Sequence, residues 1–529
     1  MNRKTLVLPA VAGLLTPVLA ACGGSSSDDA IVVGTTDRFT VSSDAPAPVD
    51  PAYAYDVGTW NILRQTVQTL MVQPHGNGEP EPEAAESCGF TDTGNERYVC
   101  KLRKGLYFSN GDPVTAADVK FSIDRARALK ADSGIFALLS TIDIVETQGD
   151  TVIFHLKTAD ATFPFKLSTP VAGIVNPKNY QKSKLREGFE VEGSGPYTMQ
   201  AEVKGNELVK ATFTKNPNYK GLLTPKNETV VLESFKDADA MGAALDKGDI
   251  DVMTRTMSPD QIRKLQNNSD SNVNLIEMPG LEIRYLGFNT DAPSVKSKAV
   301  RQAMAQIIDR GELVSKVYAT EAQPLYSLVP ATITGHSNSF FNKYGEPSVS
   351  KAKSLLAKAN ITTPVKLTLH YTTDHYGPAT KEEFDLLKQQ LNDSGLFDVS
   401  IKGDTWDKFV PAQKAGKYDV FGMGWFPDFP DADNYLAPFL DKDNFLHSPY
   451  LNGEIINTLI PESRREADRI NAKESLTRIQ DIVSDDVPML PLWQGKQYIA
   501  ARGDITGAEW AVNSSSTLQL RELGRGVRS

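Results

Sequence analysis

Between residues 365 and 404 the sequence leaves little choice of fold. "VKLTLHYTT" has strand character, "KEEFDLLKQQLNDSG" reads as a helix stopped by Gly395, and "FDVSIKGDT" is strand-like again. A strand, helix, strand run of this length predicts a parallel pair with a right-handed crossover. The next apolar strand, "YDVFGMGW", delivers "GWFPDFPDADNYL" (residues 424–436) to its carboxyl end. In open α/β sheets, ligands bind at that end. The stretch sets Trp425, Phe426, Phe429 and Tyr435 around Asp428, Asp431 and Asp433, with Pro427 and Pro430 opposing a helix.

One such sheet cannot account for the whole chain. At 529 residues it exceeds the roughly 250–300 residues at which single cores stop growing, so two lobes are expected. "IVVGTT" (31–36) reads as the first strand and "WNILRQTVQTLMV" (60–72) as an amphipathic helix. A second helix should begin after Thr115, with Asp118 in its first turn. "SKAVRQAMAQIIDRGELVSKVY" (297–318) reads as one long amphipathic helix, and a further helix is expected over about 465–483. The formal charge of −10 provides no basic field for nucleic acid or an anionic membrane surface.

The amino terminus reads as an export signal. Arg3 and Lys4 precede an apolar stretch, 6–19, too short for a permanent span, and "LAAC" closes it. That ending looks like a bacterial lipobox. It implies a signal peptide over 1–21, lipidation at Cys22, a polar tether over 22–30, and a location on the outer face of the cytoplasmic membrane, held there by the lipid alone. Cys88 and Cys100 are then an even pair in an oxidising compartment, flanking a turn-rich segment. A disulfide is expected there, with two separate buried thiols as the alternative.

Four motifs run in order along the chain: "LRKGLYFSNGDPVTAADVKFSIDRA" (102–126), "GSGPYTM" (193–199), "YLGFNT" followed by "AVRQAMAQIIDRGELV" (285–314), and "MGWFPDFPDADNYL" (423–436). In them the chain resembles the family 5 extracytoplasmic solute-binding proteins, the peptide- and nickel-binding lipoproteins of ABC importers. The resemblance implies an α/β, two-lobed, Venus-flytrap fold of the periplasmic-binding-protein type. Lobe I would comprise 31–280 and 488–529, with an extra subdomain at about 56–179, and lobe II 281–487. Hinge crossings would lie near 278–284 and 487–492. The implied function is capture of short peptides by a monomer that delivers them to a permease with ATPase subunits. Other ligands of the family (a nickel chelate, haem, an opine or an oligosaccharide) and a sensory or chaperone-like lipoprotein are the alternatives.

By the same resemblance, Asp428 would meet the ligand's α-ammonium group, with Trp425 and Phe426 as apolar walls, while Asp431 and Asp433 would be solvated turn residues. Related chains carry a basic residue shortly before Gly-Trp, but Phe421, Gly422 and Met423 stand there. Lys417 and Arg284 are therefore the candidate partners for a ligand carboxylate. No metal site or cofactor is expected, because the six histidines, His370 and His375 among them, lack ligand spacing. Nor is an enzyme: "GHSNS" (335–339) lacks the closing glycine of a nucleophile elbow, and no phosphate-binding Gly-rich Lys-Ser/Thr loop occurs.

Overall fold

The computed structural model describes residues 30–526 apart from 44, 76–77, 256 and 268–271. The export signal and Cys22 lie outside the described residues. Two strands are long enough to run through the whole fold, Val273–Phe288 and Met489–Arg502. They pair antiparallel, Val273–Pro279 against 496–502 and Ile283–Gly287 against 489–494, with a break in register between Pro279 and Ile283. Gly280 lies at that break. A Cβ there would come within 2.5 Å of the Gly495 carbonyl oxygen, so the strands can cross this closely only with glycine at 280.

On one side of the crossing pair, the sheet continues through Val420–Trp425 and Val365–Thr372 to Phe397–Asp404. The last two are parallel across helix Thr380–Asp393, as the sequence pattern requires. On the other side it continues through Val252–Met253, Ile31–Thr35, Thr229–Ser234 and Glu207–Lys215. Burial follows the same division. One apolar core draws its residues from Leu281 to Trp493. A second draws on Ile31 to Val252 and on Ile499 to Leu523, and Phe429 is its single contribution from between those stretches. A separate four-stranded sheet, Ala85–Phe90, Arg97–Leu102, Thr151–Leu156 and Ile142–Gln148, packs into that second core.

Local chemistry explains where elements start. Thr115 donates its N–H and hydroxyl to the Asp118 carboxylate at 2.8 and 2.7 Å, opening helix Ala116–Leu129. That helix buries Arg125, which clamps Asp50 in a two-point ion pair at 2.8 and 2.6 Å.

Three expected helices end early or are interrupted, each for a tertiary reason. The first spans Val57–Thr66, starting from an Asp56 cap, and Met71–Val72 beyond it is strand. Its last turn meets Gly195, whose N–H donates to the Thr66 carbonyl, and a Cβ at Gly193 would lie 2.3 Å from that oxygen. This gives "GSGPYTM" its physical role, because only glycine backbone fits so close. The long helix breaks after Lys298–Ile307, where Gln390 brackets the backbone N–H and carbonyl of Asp309 at 3.0 and 3.1 Å. The expected 465–483 helix is two, Ile460–Arg465 and Lys473–Asp486, with Arg469 drawn out of the helical path between them.

Cys88 and Cys100 face each other across the Ala85–Phe90 and Arg97–Leu102 pair and form a disulfide, so the alternative of separate thiols is set aside. The loop it closes is short, so replacing both cysteines by serine is expected to lower unfolding stability by about 2–3 kcal/mol. Urea titration followed by circular dichroism measures this, and an unchanged midpoint would show that the bridge does not stabilise the fold.

Candidate functional site

The strand Val420–Trp425 is buried along its whole length, and its carboxyl end turns through Pro427 and Pro430 into helix Asp433–Leu440. Asn434, in the first turn of that helix, organises the turn. Its amide oxygen accepts from the Asp428 N–H at 2.8 Å and from the Trp425 indole at 3.2 Å, and its amide nitrogen donates to Asp428 Oδ2 at 2.9 Å. From across the cleft, the Tyr55 hydroxyl donates to the same Oδ2 at 3.3 Å. Phe429 crosses as well, stacking on Phe165 with ring centroids 5.7 Å apart.

The three aspartates are not equivalent. Asp431 and Asp433 are buried at 5% and 4% exposure, not solvated. Each is gripped by a fork of two hydrogen bonds, Asp431 by Arg469 at 2.7 and 3.1 Å and Asp433 by Arg464 at 2.8 and 3.1 Å. Burial works against the Asp433 charge, but Arg464 prevails and holds the carboxyl below its ordinary range. Nothing in the motif announces these arginines, which lie 38 and 31 residues further on. Arg469 falls in the 465–483 segment that sequence reading assigned to helix, and Arg464 lies just before it.

Among the described residues, Asp428 has no such partner. It is 9% exposed, and burial pushes its carboxyl up to about 6, although Asn434, Tyr55 and the Arg64 guanidinium all pull it down. Trp425 is buried and packs against Phe439 and Phe445 at 5.1 and 5.5 Å. Phe426 is half-buried and lines a cavity of about 150 Å³ together with Tyr318 and Trp493 of the Leu281–Trp493 core and with Met257, Ile262 and Tyr498 of a smaller apolar cluster.

Arg284 lines the same cavity, on the crossing strand between Gly424 and Trp493. Lys417 does not: it is exposed just before the start of the Val420–Trp425 strand, roughly 20 Å from the motif at strand rise. His370 stacks on Tyr418 and His375 on Trp406, at 4.0 and 3.7 Å between centroids. "GHSNS" is a turn whose Ser339 hydroxyl donates to Asp481 at 2.7 Å. Arg255, which sequence reading passed over, places its guanidinium 5.0 Å from the Phe426 ring centroid.

Two α/β halves joined by a crossing strand pair, with a polar site between them, define a two-lobed solute-binding protein. Solved structures share this fold. The periplasmic binding protein DppA of Helicobacter pylori, in complex with peptide STSA, matches with a TM-score of 0.79 at 22% identity, covering 94% of this chain and 98% of that one. AgaA of A. tumefaciens R10, in complex with agropinic acid, matches with a TM-score of 0.78 at 22% identity, covering 94% and 99%. Among sequence relatives, the dipeptide-binding protein DppE of Bacillus subtilis is 24% identical over 496 residues, 88% of each chain. Residues 79–446 match the bacterial extracellular solute-binding proteins, family 5 (middle), and the chain belongs to that family.

A buried carboxyl titrating near 6 destabilises the fold whenever it is charged. The folded chain holds this proton more tightly than the unfolded chain, so the stability the protonated form provides is lost as pH rises from 3.8 through about 6. Asp428→Asn keeps an acceptor for Asn434 and Tyr55 and removes the charge. It is expected to stabilise the ligand-free protein by about 2–3 kcal/mol at pH 8, with no gain below pH 3.8. Thermal unfolding across pH checks this, and a destabilised variant at pH 8 would contradict it.

Proposed function

We propose that this chain is the lipid-anchored binding component of an ABC importer, capturing short peptides between two hinged lobes and delivering them to a membrane permease. The observation that carries the reading is Asp428. It is a carboxylate kept in a dry site at a cost in stability, and both of its side-chain hydrogen bonds among the described residues fall on one oxygen, Oδ2. Oδ1 is then the oxygen offered to a ligand ammonium group, and such a charge-assisted contact repays the desolvation. Trp425 braces the turn and Phe426 forms an apolar wall. The peptide named with the H. pylori protein and the dipeptide named for the B. subtilis relative support the same class of ligand.

The division of apolar burial supports two lobes, although the core that begins at Leu281 extends to Trp493, past the boundary at 487, and the separate four-stranded sheet supports an extra subdomain at about 56–179. The register break at Pro279–Ile283, opposite Gln494 to Lys496, supports a hinge there. The protein acts by binding, not catalysis. Export and lipidation at Cys22 rest on the amino-terminal sequence. The agropinic acid of the second structural relative keeps an amino-acid-derived opine as the alternative ligand.

Two measurements test the reading. Peptide affinity by calorimetry is expected to be level above pH 6 and to fall about tenfold per unit below it, as Asp428 takes up its proton. Asp428→Asn is expected to weaken binding roughly 10- to 150-fold; unchanged affinity would overturn the assignment. Cys22→Ala is expected to release the protein from the membrane fraction, and retention in that fraction would contradict the anchor.

A further inference from the structure

Away from the cavity beside Phe426, the two halves are joined by contacts that involve neither crossing strand. Helix Ile460–Arg465 belongs to the core that runs from Leu281 to Trp493, to which it contributes Ile460. A helix leaves the carbonyls of its last turn without partners along its own backbone. Here Arg469, from the same half, donates to the carbonyls of Ser463 and Glu466, the second at 3.2 Å. The two carbonyls between them are met from the other half. The Ala161 N–H donates to the Arg464 carbonyl at 2.8 Å, and the Asn95 side-chain amide donates to the Arg465 carbonyl at 2.8 Å.

The donor side is organised within its own half. Asp160 is fully buried and takes four hydrogen bonds there. Oδ1 accepts from the Thr162 N–H and hydroxyl at 3.2 and 2.6 Å, and Oδ2 from the Thr141 hydroxyl and the Lys166 ammonium at 2.8 and 2.6 Å. The Asp160 N–H donates to the Asn95 carbonyl at 3.2 Å, so Asn95 and Ala161 are held as one unit. Asn95 is 4% exposed and sits in the left-handed region at φ +55°, which asparagine adopts more readily than most residues. Across the same boundary Phe165 stacks on Phe429, and the Arg464 guanidinium, forked on Asp433, also attracts the Asp160 carboxylate of the facing half. None of Asn95, Ala161, Arg464 and Arg465 lines the cavity, so these bonds are complete without anything bound in it.

We propose that Asn95 and Ala161 form a latch on the carboxyl end of helix Ile460–Arg465, which holds the lobes together independently of ligand and sets the fraction of closed protein before a ligand arrives. Opening the cleft breaks both hydrogen bonds and parts the Phe165–Phe429 stack. Contacts made only in the closed form shift the equilibrium toward it without touching the ligand. The larger that closed fraction, the less of the binding energy goes into closing the lobes. The latch rests on the two-lobed, hinged reading and adds to it a closed population that the ligand does not have to induce.

Single-molecule energy transfer reads the lobe separation in the ligand-free protein, with dyes on Lys182→Cys and Lys358→Cys, both at exposed positions. The Cys22→Ala chain is used, in which Cys88 and Cys100 are engaged in their disulfide. The closed form is expected to predominate. Asn95→Gly keeps the left-handed backbone and removes the amide donor, and it is expected to raise the ratio of open to closed molecules roughly 2- to 10-fold. Should that variant not fold, Asn95→Asp keeps the side-chain shape and turns an acceptor toward the Arg465 carbonyl, with the same shift expected. A ligand-free wild type that is mainly open, or equal distributions in wild type and variant, would overturn the latch, whatever the variant does to the unfolding midpoint. The measurement needs no ligand. Failure of the peptide reading shows instead as absence of peptide binding by calorimetry and leaves this result standing.

Discussion

The hydrogen-bonded crossing of Val273–Phe288 with Met489–Arg502 is the constraint on which the molecule depends. Each strand supplies backbone to both halves of one sheet, so neither half can be positioned without the other. Where the ladder breaks, at Gly280 against Gly495, the backbones touch and a side chain at position 280 is excluded. The ladder shifts register twice here, between Pro279 and Ile283 and between Arg284 and Tyr285, and hinge motions in two-lobed proteins are absorbed by a few residues at such places. The placement of the cavity beside Arg284 and Gly495 follows from the same crossing.

Charge is distributed around the site according to its use. Asp431 and Asp433 are matched by Arg469 and Arg464 with two hydrogen bonds each, and Asp160 is held down at about 2 by Lys166 and Arg464 despite its burial. These pairs make a neutralised frame around the turn. Among the described residues, Asp428 stands inside that frame without an ion-pair partner. On the proposed reading, a frame whose own charges are settled leaves the Asp428 carboxyl for the ammonium group of a peptide.

Much of this was readable along the chain. The strand and helix alternation over 365–404 required a parallel pair, and it is there. The capping pair Thr115 and Asp118 and the even pair Cys88 and Cys100 act between near neighbours in sequence, and both formed as read. Helix ends were less legible. Gln390 breaking the helix at Asp309, and Gly193 and Gly195 ending the first helix at Thr66, act through contacts between residues far apart in sequence.

The sequence by itself determined the alternation of elements, the family motifs and the position of the aspartates after an apolar strand, because periodicity and capping are local properties. Only the tertiary structure decided which aspartate lacks a partner, because an ion pair depends on what arrives from 31 or 38 residues away. It also decided that Arg255 and Arg284 meet at one cavity. They are distant from the motif in sequence, and it is the strand crossing that brings one lobe's cation to the other lobe's phenyl ring.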